Sequence, residues 1–206
     1  MLAVIVQYIG SGGNRVIIPS QLGGLDVIGI GRDPNKSKRQ IAGAFYNKRI
    51  GRMQLPENII FIIDYAFFQN QLEAVTIPDS VIYIGNSAFG RNQLLSVTIP
   101  GSVTVLAQDA FCDNQLNSVT IHDKVTSIGS RTFENNRLTT ITIPNSVKKI
   151  NSRTFDKNPL TSITIGADVD IYDDAFNNNF VQFYNQNGKK TGTYRYSNNR
   201  WSHSLR

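Results

Sequence analysis

A phenylalanine returns at a nearly constant interval through most of the chain. The interval is 22 residues five times and then 21, at Phe45, Phe67, Phe89, Phe111, Phe133, Phe155 and Phe176. An aliphatic residue followed by proline keeps the same interval, as in Ile77-Pro78 and Ile99-Pro100. A fixed period in the twenties indicates a repeat array in which each repeat forms one coil of a solenoid. This period constrains the fold more than any other property of the chain.

Each repeat contains one clear β-strand. Val97 and Ile99 alternate with Ser96 and Thr98. Such alternation is typical of a strand with one buried face, so we expect the aliphatic residues to face the core and the hydroxyl residues to face solvent. The proline that follows has no N–H and ends the strand. Because like residues of stacked coils lie above one another, the phenylalanines should form an internal spine.

A column of asparagines follows the phenylalanines. One lies three residues after each phenylalanine from the second onward, at Asn70, Asn92, Asn114, Asn136, Asn158 and Asn179. An asparagine amide both donates and accepts hydrogen bonds, so these side chains can satisfy the buried turn backbone coil after coil. A binding site for a polar ligand is the alternative for the same column, and repeat logic favours the ladder.

The complete motif, L-x-x-V-T-I-P-x-S-V-x-x-I-G-x-x-A-F-x-x-N, resembles the BspA-like, or Treponema pallidum-class, leucine-rich repeats, with a close match in residues 77–89. The resemblance covers roughly residues 50–179. It implies a right-handed, mostly β leucine-rich-repeat solenoid, with a parallel sheet on the concave face and short strands and turns on the convex side. It also implies a bacterial envelope or secreted protein that takes part in adhesion and protein–protein interaction.

The ends depart from the repeat, and we expect one domain, residues 1–206, with a cap at each end. Residues 1–44 should hold a β-hairpin, a degenerate first repeat and an exposed basic insertion; the hairpin strands are Val4-Ile5-Val6 and Val16-Ile17-Ile18. The tandem repeats occupy residues 45–179. Residues 180–206 should form a second hairpin around residues 185–190 that ends near Trp201. Such caps protect the edges of a solenoid core.

Charge is distributed unevenly along the chain. The net charge is +6 for residues 1–54, −5 for residues 55–179 and +5 for residues 180–206, which sums to the +6 of the whole chain. Basic ends can attract nucleic acid, anionic lipid or an acidic glycan. Solubility and the protection of sheet edges are the favoured explanation for such charge. The candidate residues for polyanion binding are Lys36, Lys38, Arg39, Lys189 and Lys190.

Residues for catalysis or metal binding are sparse. The two histidines, His122 and His203, lie far apart in the array, and no His/Cys/Asp set has metal-ligand spacing. Cys112 is the only cysteine, so no intrachain disulfide forms, and no base accompanies it in the sequence. Four aspartates in residues 168–174 lack the spacing and glycine of a known calcium loop. We expect no enzyme activity, no metal and no cofactor.

The default ligand surface of such a solenoid is its concave sheet. The outward strand positions there are small and hydroxylic, and the candidate binding residues are Arg52, Gln54, Thr76, Thr98, Thr120, Thr142 and Thr164. Threonine also favours solvated strands for its β-propensity alone, and the sequence favours this explanation over binding. Aromatic and basic side chains, which favour binding hot spots, concentrate toward the two ends.

The sequence therefore predicts a non-catalytic scaffold that binds a host or envelope protein. A self-associating envelope component is one alternative, and a scaffold that binds a glycan or nucleic acid through its basic caps is a weaker one. No apolar run reaches the length of a membrane-spanning helix. Residues 1–9 are apolar but lack the basic start and cleavage site of a signal peptide. The extracytoplasmic location thus rests on the family resemblance.

The basic insertion offers a direct test of polyanion binding. We expect that replacement of Lys36, Lys38 and Arg39 with glutamine weakens binding to heparin or DNA without lowering the melting temperature, because an exposed loop contributes little to stability. Binding of the unchanged protein should fall steeply with salt, since exposed charges are screened within about 8–10 Å at physiological ionic strength. Affinity that is insensitive both to salt and to the triple substitution would place recognition elsewhere.

Overall fold

The computed structural model describes residues 2–5, 14–31 and 43–205. Within these ranges the chain forms seventeen strands and one helix. The strands are β1 (Leu2–Ile5), β2 (Arg15–Ile17), β3 (Gln21–Leu22), β4 (Leu25–Ile30), β5 (Arg52–Gln54), β6 (Phe61–Ile62), β7 (Tyr83–Ile84), β8 (Ser96–Ile99), β9 (Val105–Leu106), β10 (Ser118–Ile121), β11 (Ser127–Ile128), β12 (Thr140–Thr142), β13 (Lys149–Ile150), β14 (Ser162–Ile165), β15 (Asp170–Ile171), β16 (Gly192–Ser197) and β17 (Arg200–Ser204). The helix, α1, spans Phe180–Gln186.

Two rows of strands run along the solenoid. The longer row is a nine-stranded sheet with the order β1-β4-β6-β7-β9-β11-β13-β15, and β3 pairs with β4 at one point along it. Every pair along that path is parallel and joins neighbouring coils. One aliphatic residue per coil points inward from this sheet, as Ile84, Leu106 and Ile128 do. The prediction of a mostly β leucine-rich-repeat solenoid is confirmed.

The V-T-I segments form the second row. They pair in parallel as β2 with β5, β8 with β10, and β12 with β14. Single backbone bonds continue between these pairs, such as the bond from Gln93 N to Leu72 O. The alternation predicted from sequence is present, because Val97 and Ile99 are buried while Ser96 and Thr98 are exposed. The more continuous of the two rows, however, is the nine-stranded sheet, most of whose strands have only two residues.

The phenylalanine spine fills the centre of the coils. Neighbouring rings from Phe45 to Phe176 stack with centroids 4.9–5.8 Å apart and planes within 20° of parallel. All seven are buried. A single buried cluster surrounds them and reaches from Val16 to Trp201. No coil closes its own apolar edge, so each coil depends on its neighbours for stability.

The asparagine ladder joins the turn backbone of one coil to the next. In the coil of Asn114, the side-chain Nδ2 donates to the carbonyls of Phe111 and Cys112 in its own coil and of Phe89 in the preceding coil. Its Oδ1 accepts from Leu94 N of the preceding coil at 3.0 Å. The same pattern holds at Asn92, and all five asparagines from Asn70 to Asn158 are buried.

The prediction that Asn179 continues this ladder is wrong. Asn179 is exposed, has a left-handed backbone with φ 55°, and precedes the first residue of α1 without a side-chain cap bond. Asn177 links the last coil to the preceding one instead, through bonds that differ from those of the ladder. Its Nδ2 donates to Asn158 O at 3.1 Å, and its Oδ1 accepts from Lys157 N at 3.3 Å. Asn179 still lies three residues after Phe176, but the chain enters α1 directly after it instead of completing another repeat turn.

The N-terminal hairpin is not formed by the segments that the sequence indicates. β1 pairs in parallel with β4, and β2 pairs in parallel with β5 in a different sheet. The antiparallel pair is β3 with β4, joined by Gly23 and Gly24 at φ 58° and 77°. Positive φ at both central residues gives a turn whose twist matches that of a hairpin. The basic insertion lies outside the described residues.

The prediction of a hairpin turn around residues 185–190 is also wrong. That segment includes the end of a helix. Phe180 and Tyr184 lie one helical turn apart and are both fully buried in α1. The hairpin comes later, between β16 and β17, and turns at Asn198 and Asn199 with φ 51° and 57°. β16 pairs with β14, so this hairpin continues the second row of strands.

Aromatic side chains close the end of the core. Phe180 packs edge-on against Phe176 with a centroid distance of 4.9 Å and extends the spine into the cap. Tyr184 Oη donates to Gly166 O at 2.8 Å, and Trp201 Nε1 donates to Asn178 O at 2.7 Å. Burial raises the pKa of Tyr194 to about 12, and its Oη donates to Lys190 O. The polar tips are thus satisfied while the rings stay buried.

The spine predicts that two substitutions in the same coil change the free energy of unfolding by very different amounts. Phe111→Ala should lower the free energy of unfolding by about 3–5 kcal/mol, because it removes a fully buried ring between two stacked neighbours and leaves a cavity. Thr98→Ser, on an exposed position, should change it by less than about 0.5 kcal/mol. Denaturant unfolding measures both. Similar small shifts for the two variants would contradict the spine.

Candidate functional site

The outward side chains of the second row form one continuous surface, which we call the hydroxyl face. They are exposed from Arg52 through Thr142 and half-buried at Ser162 and Thr164. Parallel register places Ser96 beside Ser118 and Thr98 beside Thr120. The face consists of Arg52, Gln54, Ala74, Thr76, Ser96, Thr98, Ser118, Thr120, Thr140, Thr142, Ser162 and Thr164.

Most hydroxyl groups of this face are free to bind a partner. Within the described residues, no side-chain hydrogen bond involves the hydroxyls of Thr76, Thr98, Thr120 or Thr142. The exception lies at the C-terminal end, where Thr164 Oγ1 and Thr193 Oγ1 are 3.0 Å apart. Each free hydroxyl can donate one hydrogen bond and accept two. The face can therefore hydrogen-bond an extended partner without disrupting the solenoid.

Arginines stand at both ends of the hydroxyl face. Arg15 lies opposite Arg52 in the pair of β2 and β5. Arg195 lies opposite Ser162 in the pair of β14 and β16. Seven steps of about 4.8 Å separate β2 from β16, so the hydroxyl face and the strands that flank it extend over roughly 34 Å. Between Arg52 and Arg195 no outward strand position carries a charge, and the face is therefore neutral in its middle and positive at its ends.

A groove follows the turns beside the spine, and we call it the turn groove. Its volume is about 560 Å³. At its N-terminal half Tyr46 stacks on Phe68 at 5.9 Å, and Tyr65 meets Phe68 edge-on. The guanidinium of Arg91 lies 5.5 Å from the centre of the Phe68 ring. Aromatic side chains and arginine favour binding hot spots, so this half has the composition of an interface.

The C-terminal half of the turn groove is ionic, and its charges are paired. Arg131 binds Asp109 at 2.8 Å, and this hydrogen bond raises the pKa of the guanidinium further. The buried carboxylate of Glu134 accepts from both Arg153 and Lys157. These three pairs each join neighbouring coils. Partly exposed pairs contribute up to about 1 kcal/mol each, so they reinforce the stacking only modestly.

Cys112 lies in the wall of the turn groove and is only 8% exposed. Burial, followed by the nearby carboxylates of Asp109 and Asp113, raises the pKa of its thiol to about 12. The thiolate is the reactive form of cysteine, and this site holds the thiol protonated at neutral pH. Its surroundings are thus those of a structural cysteine.

The outer face of the long sheet carries a small apolar patch. Ile82, Tyr83 and Val105 are 40–50% exposed on neighbouring coils. Tyr83 Oη lies 3.4 Å from a carboxylate oxygen of Asp64, and burial together with this charge raises the pKa of Tyr83. In later coils the same column carries Ser127 and Lys149. The patch therefore ends after Val105, and the next exposed aromatic residue of this sheet is Tyr172 after β15, which Lys149 partly covers.

The structure brings together some of the residues that the sequence singles out. One groove is lined by Arg52, Gln54 and Thr76 together with Arg15. Arg15 is not among the candidates that the sequence indicates. Lys189 and Lys190 lie between α1 and β16, where Lys190 is exposed. Lys36, Lys38 and Arg39 lie outside the described residues.

Sequence reasoning also missed the turn groove. Its residues repeat at 22-residue intervals, and one such column holds Gln69, Arg91, Asp113, Asn135 and Lys157, two positions after each phenylalanine. The charged and polar side chains of that column are the sequence signal that indicates the turn groove.

No metal or membrane element stands out in the described part of the chain. No group of three or more His, Cys, Asp or Glu side chains there is arranged to hold a metal ion. His203 lies in the cap, stacked on Tyr194 at 4.5 Å. In the same residues, no helix has both the length and the apolar character needed to cross a bilayer.

The repeats match a known family in sequence. Residues 40–159 match six copies of the BspA type Leucine rich repeat region. The chain belongs to this family. The resemblance inferred from the motif is thereby confirmed. No curated protein is similar enough in sequence to count as a relative.

Two solved structures share the fold of this BspA-type chain. A leucine-rich cell surface protein from Faecalibacterium prausnitzii is 26% identical, with a TM-score of 0.58 over 98% of this chain and 56% of that one. The pneumococcal vaccine antigen PcpA is 18% identical, with a TM-score of 0.58 over 80% of this chain and 43% of that one. The chain thus spans about half the length of each, and the second likeness concerns the fold alone.

Proposed function

We propose that this BspA-type repeat chain is a non-catalytic scaffold that binds a protein partner through the hydroxyl face. The observation that carries the proposal is a row of exposed hydroxyl groups, in register from coil to coil, that make no hydrogen bonds among the described residues. An exposed polar face with free donors and acceptors suits an extended protein surface better than a small molecule, which prefers an enclosed, largely apolar pocket.

A binding role is also supported by the chemistry of the turn groove. Its acidic and basic groups are committed to pairs between coils, and the thiol of Cys112 is protonated and nearly buried. An activated nucleophile needs a partner base or a lowered pKa. Neither condition is met at Cys112, so we propose that the groove is structural or contributes to binding.

We further propose an extracytoplasmic location, on the cell surface or secreted, with a role in adhesion. The support is the similarity of the whole chain to a protein described as a leucine-rich cell surface protein. A binding module that acts outside the cell would meet host or envelope proteins, and we propose these as its partner class.

Self-association is a second candidate, and the apolar patch of Ile82, Tyr83 and Val105 favours it. Apolar groups on neighbouring coils can bury one another between two copies. Light scattering separates this candidate from the first: a concentration-dependent dimer that Tyr83→Asp returns to a monomer supports self-association, and a monomer at all concentrations excludes it.

The hydroxyl face is tested by two pairs of substitutions in the same coils. We expect Thr98→Arg with Thr120→Arg to weaken binding to a partner about tenfold or more, since an unpaired charge would be buried in the interface. Partners would come from a panel of purified host-matrix and envelope proteins, with binding measured by surface plasmon resonance.

The control is Thr104→Arg with Thr126→Arg. These two threonines are exposed in the same coils but lie next to β9 and β11, on the other row of strands. The control should bind as the unchanged protein does. Equal loss in both double variants, or no loss in the first, would contradict recognition by the hydroxyl face.

A further inference from the structure

The N-terminal end of the hydroxyl face holds two arginines side by side. β2 and β5 are parallel, and their register sets Arg15 opposite Arg52, Val16 opposite Met53, and Ile17 opposite Gln54. Val16 is buried and Met53 packs against the core, so the two arginines point outward, where both are exposed. In-register residues of neighbouring strands lie about 4.8 Å apart. Like charges placed in this way destabilise a sheet.

The charge of this arginine pair is not neutralised within the described chain. All five ion pairs of the described residues lie on the turn side, among Arg91, Arg131, Arg153, Lys157 and their acidic partners. Glu73 borders the same groove but forms no ion pair with either arginine. Residues 6–13, which precede the pair in sequence, contain no acidic residue. Among the described residues, the pair therefore presents two guanidinium groups without an acidic partner on one surface.

The pair opens into a groove of about 540 Å³ with several other functional groups. The lining includes Met53, Gln54, Val75 and Thr76 in addition to the arginines. Ala74, also in the lining, has a small side chain that leaves the groove open. A guanidinium presents a planar set of donors that fits a carboxylate in a bidentate manner. The Gln54 amide and the Thr76 hydroxyl add a donor and acceptors beside it.

We propose that Arg15 and Arg52 form a clamp for an acidic side chain of an extended protein segment that continues along the hydroxyl face. This inference rests on the proposed function and names one chemical requirement of the partner. The ligand carries one or two carboxylates, followed by uncharged residues that meet the serine and threonine rows.

The surroundings of the clamp favour a protein segment over a polyanion. A glycan or nucleic acid that carries negative charge at every unit would need positive groups along its whole path. Beyond the pair, the hydroxyl face carries no positive charge until Arg195, and Glu73 adds a negative charge within the groove. Isolated carboxylates suit this pattern, and a continuous polyanion does not.

Two synthetic peptides test the clamp. Both are short and rich in serine and threonine, and they differ only in that one carries two central aspartates and the other two asparagines. Titrated by NMR against the full chain at low salt, the aspartate peptide should bind about tenfold more tightly and shift the Nε–H signals of Arg15 and Arg52. Arg15→Gln and Arg52→Gln should each abolish this advantage. Arg137→Gln is the control, because Arg137 is exposed in the repeat body and forms no ion pair there.

Loss of stability should not account for weaker binding by these variants. Each glutamine substitution relieves repulsion between like charges, so the melting temperature should stay the same or rise. Equal affinity of the two peptides for the unchanged protein would overturn the clamp, and so would an advantage that survives in both variants. If heparin binds through the arginine pair and the aspartate peptide does not, the clamp proposal is wrong and the pair binds a polyanion.

Failure of the clamp is distinguishable from failure of the proposed function. If a protein partner is lost in the Thr98→Arg, Thr120→Arg variant but retained in Arg15→Gln and Arg52→Gln, the clamp is wrong and the face still binds. If the aspartate peptide depends on the arginine pair while partner binding ignores the threonine substitutions, the clamp stands and the face is not the recognition surface.

Discussion

The stacking of this solenoid depends on the asparagine side chain that ties each coil to the one before it. A tight coil buries backbone carbonyls and N–H groups that no strand can pair, and buried polar groups without partners are costly. Asn92, Asn114 and Asn136 solve this in the same way, since each donates to carbonyls of two coils and accepts from an N–H of the preceding coil. Side-chain bonds thus do for the turns what the ladders of β-sheets do for strands.

The asparagine bonds that hold the turns in register also hold the other columns of equivalent residues in register. Once neighbouring coils share these bonds, their phenylalanines stack at about the same spacing, and their outward residues align in rows. The surface of the protein is therefore a set of columns, each with its own chemistry. The hydroxyl face, the turn groove and the apolar patch are three such columns or groups of columns, and each changes character along the solenoid while the core stays constant.

Much of the fold could be predicted from sequence, because the period repeats the same physical requirement in every coil. The strand alternation and the burial of the spine follow from side-chain type alone. The caps could not be predicted in the same way, since each occurs once. Val181 and Phe183 alternate as in a strand, yet Phe180 and Tyr184 bury a helical face. Asn179 keeps its spacing from Phe176 but leaves the ladder, because the chain turns into α1 at Phe180.

The candidate site was predictable only in part, for a related reason. Arg52, Gln54 and the threonine rows lie in the repeat phase and can be found by counting. Arg15 stands 37 residues before Arg52, out of phase because the basic insertion separates them, and only the register of β2 with β5 reveals the pair. The residues of the turn groove also recur at the repeat interval, but they lie next to the phenylalanines and not in the strands where the sequence predicts a binding surface.

The most direct test of the ladder is the free energy of unfolding of Asn114→Ala compared with Asn117→Ala. Asn114 is buried and binds two coils, whereas Asn117 is exposed three residues later. We predict a loss of at least about 3 kcal/mol for Asn114→Ala, because several buried groups lose their partner at about 1–3 kcal/mol each. Asn117→Ala should change stability by less than about 0.5 kcal/mol. Equal, small effects of the two substitutions would contradict the claim that the asparagines hold the coils together.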